Sequence, residues 1–216
     1  MKILSFNVRE WSRDTKKNSD TYWKDRMKCA EKMIEDVKPD VLCFQELSIP
    51  ANFTIVPEGY KRCGIMINHP IYVRRDYSTK SGSWGIHYSK VTVGNDIRII
   101  NIHSHWNPKV ISKTMDMIQE EFIDFPGIVI ACGDFNNTTE QIAAIEIKKD
   151  KTWSSVRESF DLPEVDTFQN WTKPESHGEI DHFYTNTDCA SSYTMITDGY
   201  GAKFRLSDHY PIMIEI

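Results

Sequence analysis

The stretch from Ile128 to Asn137 constrains the fold more than any other part of the chain. It reads Ile-Val-Ile-Ala-Cys-Gly-Asp-Phe-Asn-Asn, an apolar run that changes abruptly to polar residues after Gly133. An apolar run this short, preceded by Phe125-Pro126-Gly127, is typical of a buried β-strand. Asp134 and Asn136 stand two apart, so on extended backbone their side chains share one face of the strand end. Such a pair can bind a water, a metal ion or a phosphate oxygen, although Gly, Asp and Asn are also common turn residues.

The size and charge of the chain limit the classes of function. Its 216 residues fit a single domain, 1–216, and can bury a sizeable core. The formal net charge of −5 means that the surface as a whole does not attract nucleic acid. A polyanionic substrate therefore needs a local site that contains a cation. Five scattered cysteines without CxxC spacing argue against a disulfide framework and a zinc finger.

No signal peptide and no apolar stretch of membrane-spanning length is visible in the sequence. The expectation is a cytoplasmic, monomeric protein with no evident protein partner.

Apolar periodicity predicts many strands with two or three helices, which is an α/β layered fold. A strand over Lys2–Val8 is followed by a helix that begins near Asp20, with Asp20 or Ser19 as its N-cap, and that ends at Pro39. The later predicted elements are a strand at 40–44, short strands at 63–67 and 71–74, a hairpin of 84–93 and 96–103, a helix opened by Asn107-Pro108, a short helix at 140–149, a helix or strand at 152–160, and strands at 179–184, 192–197 and 210–216.

Several of these strands end in a residue that can bind a metal ion or a phosphate. The residues are Asn7, Glu46, His103, Asp134, Asn136, Asp181, Asp208 and His209. Each alone has an ordinary explanation, such as a turn residue or a satisfied core histidine. Strand ends in a layered sheet tend to meet at one edge, however, and acids gathered there repel one another unless a cation is bound. Their joint occurrence predicts a cation-dependent phosphate site.

These residues also lie in motifs that resemble those of the endonuclease/exonuclease/phosphatase superfamily, which includes pancreatic deoxyribonuclease, apurinic-site endonucleases, mRNA deadenylases, neutral sphingomyelinases and inositol-polyphosphate 5-phosphatases. The matching motifs, in order from Ile3 to Pro211, are Leu4-Ser5-Phe6-Asn7, Pro39-Asp40-Val41-Leu42-Cys43-Phe44-Gln45-Glu46, Asn101-Ile102-His103, Gly133-Asp134-Phe135-Asn136, Glu179-Ile180-Asp181-His182 and Leu206-Ser207-Asp208-His209-Tyr210-Pro211. The resemblance implies a four-layer, deoxyribonuclease-like fold, in which a two-sheet β-sandwich is flanked by helices.

The resemblance further implies hydrolysis of a phosphate ester with one divalent cation, Mg²⁺ or Mn²⁺. Glu46, Asn7 and Asp208 are the implied metal ligands, because hard oxygen ligands suit Mg²⁺ better than zinc. Arg9 stands where some relatives carry a second acidic ligand, which speaks against a two-metal site. A zinc site formed by His103, His105 and His209 is an alternative, since alternate histidines on a strand share a face.

The resemblance assigns the catalytic roles as well. Asp134 orients or deprotonates the attacking water, Asn136 holds that water or a phosphate oxygen, and His103 contacts the scissile phosphate. Asp181 orients His209 and favours its charged form, while His209 acts as a base or as a phosphate clamp. Asp208 and His209 can converge only if 207–209 is a loop, because neighbours on a regular strand point to opposite faces.

Substrate identity depends on the loops around such a site. Arg9 and Trp11 follow Asn7 on one loop, and His105 and Trp106 follow His103; arginines and aromatics suit phosphate contacts and base stacking. The run His103-Ser104-His105-Trp106-Asn107-Pro108 is similar to one in the deadenylase branch. Arg74, Arg75, Lys80 and Trp84 form a second group with the same chemistry. The alternative for these loops is a solvated loop with a buried tryptophan.

Three functions compete. The first is a phosphodiesterase that cleaves DNA or RNA, and the second is a phosphatase or sphingomyelinase-type esterase that acts on a lipid or inositol phosphate. The third, a non-catalytic binding module, fits poorly with so complete a catalytic set.

Overall fold

The computed structural model describes residues 1–10, 13–17, 19–20, 22–48, 55–63, 68–81, 88–145, 153–171, 178–202 and 205–216. Its strands are β1 (Lys2–Asn7), β2 (Val41–Gln45), β3 (Tyr60–Arg62), β4 (Ile71–Arg74), β5 (Thr79–Ser81), β6 (Tyr88–Val93), β7 (Ile97–His103), β8 (Ile128–Asp134), β9 (Ser154–Ser155), β10 (Asp181–Thr185), β11 (Ser192–Met195) and β12 (Ile212–Glu215). Its helices are α1 (Trp23–Val37), α2 (Pro108–Asp124), α3 (Thr139–Ala143) and α4 (Val156–Ser159).

The strands form two mixed sheets of six strands each. The first has the order β11-β12-β1-β2-β4-β3, and the second has the order β5-β6-β7-β8-β10-β9. Each sheet has a parallel pair at its centre, β1 with β2 and β7 with β8. The two strands of a parallel pair end at the same edge of their sheet, so the residues after these four strands are brought to one side.

Three apolar layers hold the sheets and helices together. Ile3 and Val41 from the first sheet meet Ile99 and Ile130 from the second in the layer between the sheets. A second layer packs α1 on the outer face of the first sheet, and a third packs α2 on the outer face of the second sheet. Side chains alternate between the two faces of a strand, so neighbouring residues of β1 and β8 enter different layers. The predicted β-sandwich flanked by helices is confirmed.

Helix α2 has the predicted N-cap residue, whereas helix α1 has a different one. Asn107 caps α2, since its side-chain oxygen accepts the Lys109 N–H at 3.0 Å. The N-cap of α1 is Tyr22 and makes no side-chain cap bond. The prediction of Ser19 or Asp20 was wrong because the Ser19 hydroxyl closes its own turn, donating to the Lys16 carbonyl at 2.8 Å.

Other predicted bounds shift by a few residues. Strands were predicted at 63–67 and 84–93, but 64–67 and 82–87 lie outside the described residues; the short helix at 140–149 is α3, with 146–152 outside. Tyr210 and Pro211 precede β12 instead of belonging to it. No helix among the described residues combines the length and apolar character needed to cross a membrane.

Gly133 allows the two central strands of the second sheet to approach closely. It pairs with Ile102 of β7 and with His182 of β10, and its φ is +139°, which L residues rarely adopt. A Cβ built there lies 2.0 Å from the Ile102 carbonyl oxygen. The next residue is Asp134, so the glycine fixes how this side chain leaves the strand.

We expect Gly133→Ala to lower the free energy of unfolding by about 2–6 kcal/mol, from backbone strain and from displacement of the Ile102 backbone. Gly94→Ala is the matched control, because Gly94 also has a positive φ but a methyl group added there would meet nothing within 4 Å. Strain alone should cost about 1–2 kcal/mol there. Equal losses in urea unfolding of the two variants would contradict the close-approach argument.

Candidate active site

A cleft of about 600 Å³ opens at the edge where β1, β2, β7 and β8 end. Both charged and aromatic side chains form its wall. They are Arg9, Arg13, Glu46, His69, His103, Ser104, His105, Trp106, Asp134, Asn136, Phe168, Asn170, Asp208 and His209. Most of the residues predicted from the strand ends therefore do meet at one place.

Asp134 lies at the centre of this cleft and is only 1% exposed. Its Oδ2 accepts the Asn7 side-chain N–H at 2.9 Å and lies 3.6 Å from His103 Nε2 and 3.8 Å from His209 Nε2. Burial raises the pKa of Asp134 to about 7, against the opposing effect of His209. Groups from both sheets thus converge on one buried carboxyl group.

Glu46 stands beside Asp134, on the first sheet. Its Oε1 accepts the Asn7 side-chain N–H at 3.3 Å and lies 3.8 Å from His103 Nε2. Its Oε2 accepts the Glu10 backbone N–H at 3.1 Å. Burial by itself raises the pKa of Glu46, but the Glu10 N–H, Arg13 and His103 outweigh it and hold the pKa below its ordinary value.

His209 forms the predicted pair with Asp181. His209 Nδ1 and Asp181 Oδ2 are 2.9 Å apart, and both side chains are buried. Burial alone lowers the pKa of His209, but Asp181 and Asp134 overcome it and raise the pKa to about 10. The imidazole is therefore charged at neutral pH, with Nε2 turned to Asp134. Residues 206–208 form a bend, as the convergence of Asp208 and His209 requires.

Asp208 reaches the cleft but does not join Asn7 and Glu46 directly. Its Oδ2 accepts a hydrogen bond from the Arg9 guanidinium, and its Oδ1 accepts the Ser207 hydroxyl at 3.2 Å. Both carboxylate oxygens thus already have partners. Of the three predicted metal ligands, only Asn7 and Glu46 are in mutual contact.

Asn136 lines the cleft for a different reason than the sequence suggested. It has a φ of +52°, so the backbone after Asp134 is not extended. Asp134 Oδ1 accepts the Asn136 backbone N–H at 2.8 Å, and the Asn136 amide donates to the Ser104 carbonyl at 3.0 Å. The prediction of two side chains on one strand face was wrong, and a turn brings the pair together.

The predicted substrate-contacting residues lie at the rim. His105 and Trp106 stack with ring centroids 5.0 Å apart, and Trp106 is 72% exposed. His105 Nδ1 accepts the Asn107 backbone N–H at 2.9 Å. Trp11 lies outside the described residues.

The second group of predicted phosphate contacts is not in the cleft. Arg74 pairs with Asp76 at 2.9 Å on the surface, Arg75 donates to the Tyr60 carbonyl and Lys80 donates to Asn95. Trp84 lies outside the described residues. The partners of these three cations are Asp76, the Tyr60 carbonyl and Asn95, and none of the cations lines the cleft, so a role for them in phosphate binding stays a prediction.

His69 and Phe168 are among the cleft residues that the sequence analysis did not single out. His69 packs edge-on against His103 with ring centroids 4.7 Å apart, and its Nδ1 accepts the Glu46 backbone N–H at 3.4 Å. Phe168 packs on His209 at 4.8 Å and forms an isolated β-bridge with it. Neither residue follows a strand of the apolar pattern, so only the folded loops bring them to the site.

A family model described as Endonuclease/Exonuclease/phosphatase family matches residues 4–209. The chain belongs to this family. Its members are hydrolases that act on phosphate esters, and the predicted family and reaction class are thereby confirmed. No curated protein matches the chain significantly.

Solved structures of the family superpose along almost the whole chain. TDP2 from D. rerio, complexed with a single strand DNA product, has a TM-score of 0.74 at 17% identity, covering 99% of this chain and 97% of that one. The mannosyl-6-phosphatase from Bacteroides thetaiotaomicron has a TM-score of 0.75 at 18% identity, covering 100% and 98%. The AP endonuclease from Leishmania major has a TM-score of 0.73 at 14% identity, covering 99% and 86%. At these identities the likeness establishes the fold.

The cleft offers the ligands that a divalent-metal-dependent family requires. Among the described residues, ligand atoms of Asp134, Asp181 and His209 lie within 4.8 Å of one another. Asp181 raises the pKa of His209 and so favours its protonated form, and a protonated imidazole does not bind a metal ion. Glu46 and Asp134 both accept from the Asn7 amide, and carboxylate and amide oxygens are in general the ligands that hard divalent cations prefer. His105 lies outside this cluster, so the described residues give no support to a zinc site of three histidines.

The buried His182 behind the cleft provides a test of the site's electrostatics. His182 Nε2 donates to the Asn137 carbonyl at 2.9 Å, and burial lowers the pKa of His182 to about 4. Between that value and its ordinary pKa near 6.5, only the unfolded chain binds a proton at this residue. Its contribution to stability is therefore fully present above about pH 6.5 and is lost as the pH falls toward 4.

We expect His182→Gln, which keeps an N–H donor but does not titrate, to be less stable than the parent by about 1–3 kcal/mol at pH 7. This difference should shrink as urea unfolding is repeated at lower pH. A difference that stays constant from pH 7 to 4 would show that His182 is not neutral in the folded protein.

Proposed function

We propose that the chain is a divalent-metal-dependent phosphodiesterase that hydrolyses nucleic acid. The observation that carries the proposal is the meeting of Asp134, the His209–Asp181 pair and Glu46 in a cleft whose rim bears an exposed Trp106. The extent of the family match also supports a single domain over 1–216. The complex of the D. rerio TDP2 structure with a single strand DNA product adds support for nucleic acid as the substrate.

The roles follow from charge and position. Asp134 Oδ2 is held by Asn7, and we assign to this carboxylate the orientation or deprotonation of the attacking water. His209 in its charged form donates Nδ1–H to Asp181, which leaves Nε2–H to bind a phosphoryl oxygen as a charged clamp. The raised pKa of His209 makes it a poor base, which supports the role of a phosphate clamp.

The remaining groups position the ester. Asn136 holds the water or a phosphate oxygen, and His103, with its pKa lowered by burial, contacts the scissile phosphate in its neutral form. Glu46 and Asn7 would hold one Mg²⁺ or Mn²⁺. When bound, that ion polarises the phosphoryl oxygens and stabilises the leaving oxyanion. We propose that the ion is single because Asp208 is already paired with Arg9.

Removal of the central groups should abolish cleavage. We expect Asp134→Asn and His209→Gln each to lower kcat/KM on a labelled oligonucleotide about 10²- to 10⁴-fold, and chelation of the metal to abolish turnover. Asp76→Asn is the matched control, since Asp76 is an exposed acid that pairs with Arg74 on the surface and lies outside the cleft wall. Unchanged cleavage by either site variant would overturn the assigned roles.

A phosphatase acting on a small phosphate ester is the second candidate. The cleft volume of about 600 Å³ is in the range of small-molecule sites, which lie at about 300–1,000 Å³. The mannosyl-6-phosphatase from Bacteroides thetaiotaomicron shares the fold. In this case sugar, inositol or lipid phosphates would be turned over, while DNA and RNA would be left intact.

Trp106 distinguishes the two candidates. If a base stacks on this ring, Trp106→Ala should raise KM for single-stranded DNA or RNA about 5- to 150-fold, since one stacked base is worth about 1–3 kcal/mol. Turnover of bis(p-nitrophenyl) phosphate should be unaffected, because this ester carries no base. Phe160→Ala is the control, as Phe160 is also an exposed aromatic, at 37%, but lies outside the cleft wall. Turnover of small phosphomonoesters with oligonucleotides left intact would favour the phosphatase.

A further inference from the structure

A chain of alternating charges runs from helix α1 to the catalytic cleft. It begins at Arg26, which is 1% exposed although it carries a guanidinium group. Arg26 donates to the Val8 carbonyl at 3.0 Å, to the Leu206 carbonyl at 2.9 Å and to Asp14 Oδ2 at 2.9 Å. A buried arginine is costly unless it is paired and hydrogen-bonded in this way. Arg26 thereby ties together the loop after β1 and the loop that carries Asp208.

Asp14 binds both Arg26 and Arg9. The same Oδ2 atom that binds Arg26 accepts the Arg9 Nε–H at 2.9 Å, and the Arg9 Nη1 group donates to Asp208. Both guanidinium groups lie over the indole ring of Trp171, with Cζ at 4.6 Å from its centroid for Arg9 and 4.9 Å for Arg26. Arginine stacks readily on aromatic faces, so the ring serves as a platform for both.

The backbone of Arg9 is fixed as well. Its φ is +58°, a conformation that non-glycine residues hold only where their surroundings enforce it, and its N–H donates to Asn7 Oδ1 at 3.0 Å. Arg9 is thus held through its backbone, its Nε, its Nη1 and its flat face. An arginine that changes conformation to bind a substrate would not be fixed by so many internal contacts.

The contact with Asp208 has a consequence for metal binding. A second divalent ion at Asp208 would have to displace the guanidinium from a largely buried ion pair and would then lie beside a positive charge. An arginine guanidinium stays protonated at any physiological pH, so the charge is permanent. The Arg9 side chain is still 23% exposed and lines the cleft. Two of its five N–H donors are used by Asp14 and Asp208, which leaves donors for a phosphoryl oxygen.

We propose that Arg9 is a resident cation of the cleft that takes the place of a second metal ion at Asp208, with Asp14, Arg26 and Trp171 as its positioning residues. The contact of Arg9 with a substrate phosphoryl oxygen rests on the proposed function. The occupancy of Asp208 by Arg9 does not, and it can be measured without substrate.

The test is a Mn²⁺ titration of the purified full chain, followed by the electron paramagnetic resonance signal of free Mn²⁺. We expect one tightly bound ion per chain in the parent and two in Arg9→Gln, because Asp208 is then released. Arg9→Lys should stay at one ion, since it keeps the positive charge. Arg74→Gln, the matched control for loss of an arginine–aspartate pair outside the cleft, should also stay at one.

Asp14→Asn tests the positioning role. We expect it to shift the titration toward two ions and to raise KM for the hydrolysed ester about 10-fold with a smaller change in kcat, because Arg9 loses its anchor. If Asp14 has only a structural role, Asp14→Asn should lower the melting temperature and leave the number of bound Mn²⁺ ions and KM unchanged. If Asp14→Asn does not fold, Trp171→Phe serves as the second variant and should again raise KM and weaken the preference for one ion.

Two tightly bound ions in the parent, or a single one in Arg9→Gln, would overturn the proposal. Parent stoichiometry and KM in folded Asp14→Asn would overturn the positioning role. A failure of the proposed function can be told apart from a failure of this inference. If the parent binds one ion and Arg9→Gln binds two, but the parent does not cleave nucleic acid, only the substrate assignment is contradicted. If the parent binds two ions and cleaves nucleic acid, only this inference is contradicted.

Discussion

The structure depends on the burial of one carboxyl group, Asp134, at the junction of two sheets. A carboxylate taken out of water must be compensated by hydrogen bonds or by opposite charge, or else its pKa rises. Asn7 from the first sheet provides the hydrogen bond, while His103 and His209 provide imidazoles within 4 Å. The same compensation brings together the groups to which we assign the binding and attack of a phosphate ester.

The rest of the fold can be understood as the support for this arrangement. The parallel pairs β1–β2 and β7–β8 end at one edge and deliver Asn7, Glu46, His103 and Asp134 there. Between the sheets, the Gln45 amide donates to Asn101 Oδ1 at 2.6 Å, and the Asn101 amide donates to the Phe44 carbonyl at 2.8 Å. These buried bonds set the distance between the sheets close to the cleft, where an apolar contact alone would fix neither direction nor register.

Charge in the cleft is arranged in two separate pairs. Asp181 keeps His209 positive, and Asp208 is matched by Arg9, so that two of the acids do not add to the negative charge near Asp134. Glu46, on the side of Asn7, has a lowered pKa in spite of its burial, because the Glu10 N–H, Arg13 and His103 stabilise its charged form. Arg9, Arg13 and His209 all line the cleft, so positive charge is gathered at one point of an acidic protein.

The sequence by itself determined the layered fold, the family and the set of strand-end residues, because apolar periodicity and ordered motifs are local properties of the chain. It predicted the cap of α1 wrongly, and it treated Asp134 and Asn136 as neighbours on a strand although a left-handed residue turns the chain there. It did not indicate His69, Phe168 or the support of Arg9 by Asp14, Arg26 and Trp171, since these contacts depend on how irregular loops fold and not on an apolar period. The Asp181–His209 pair was predicted, but only the tertiary structure decided that Arg9 is paired with Asp208 and Asp14, because ion pairing depends on distances of a few ångströms that no spacing along the chain specifies.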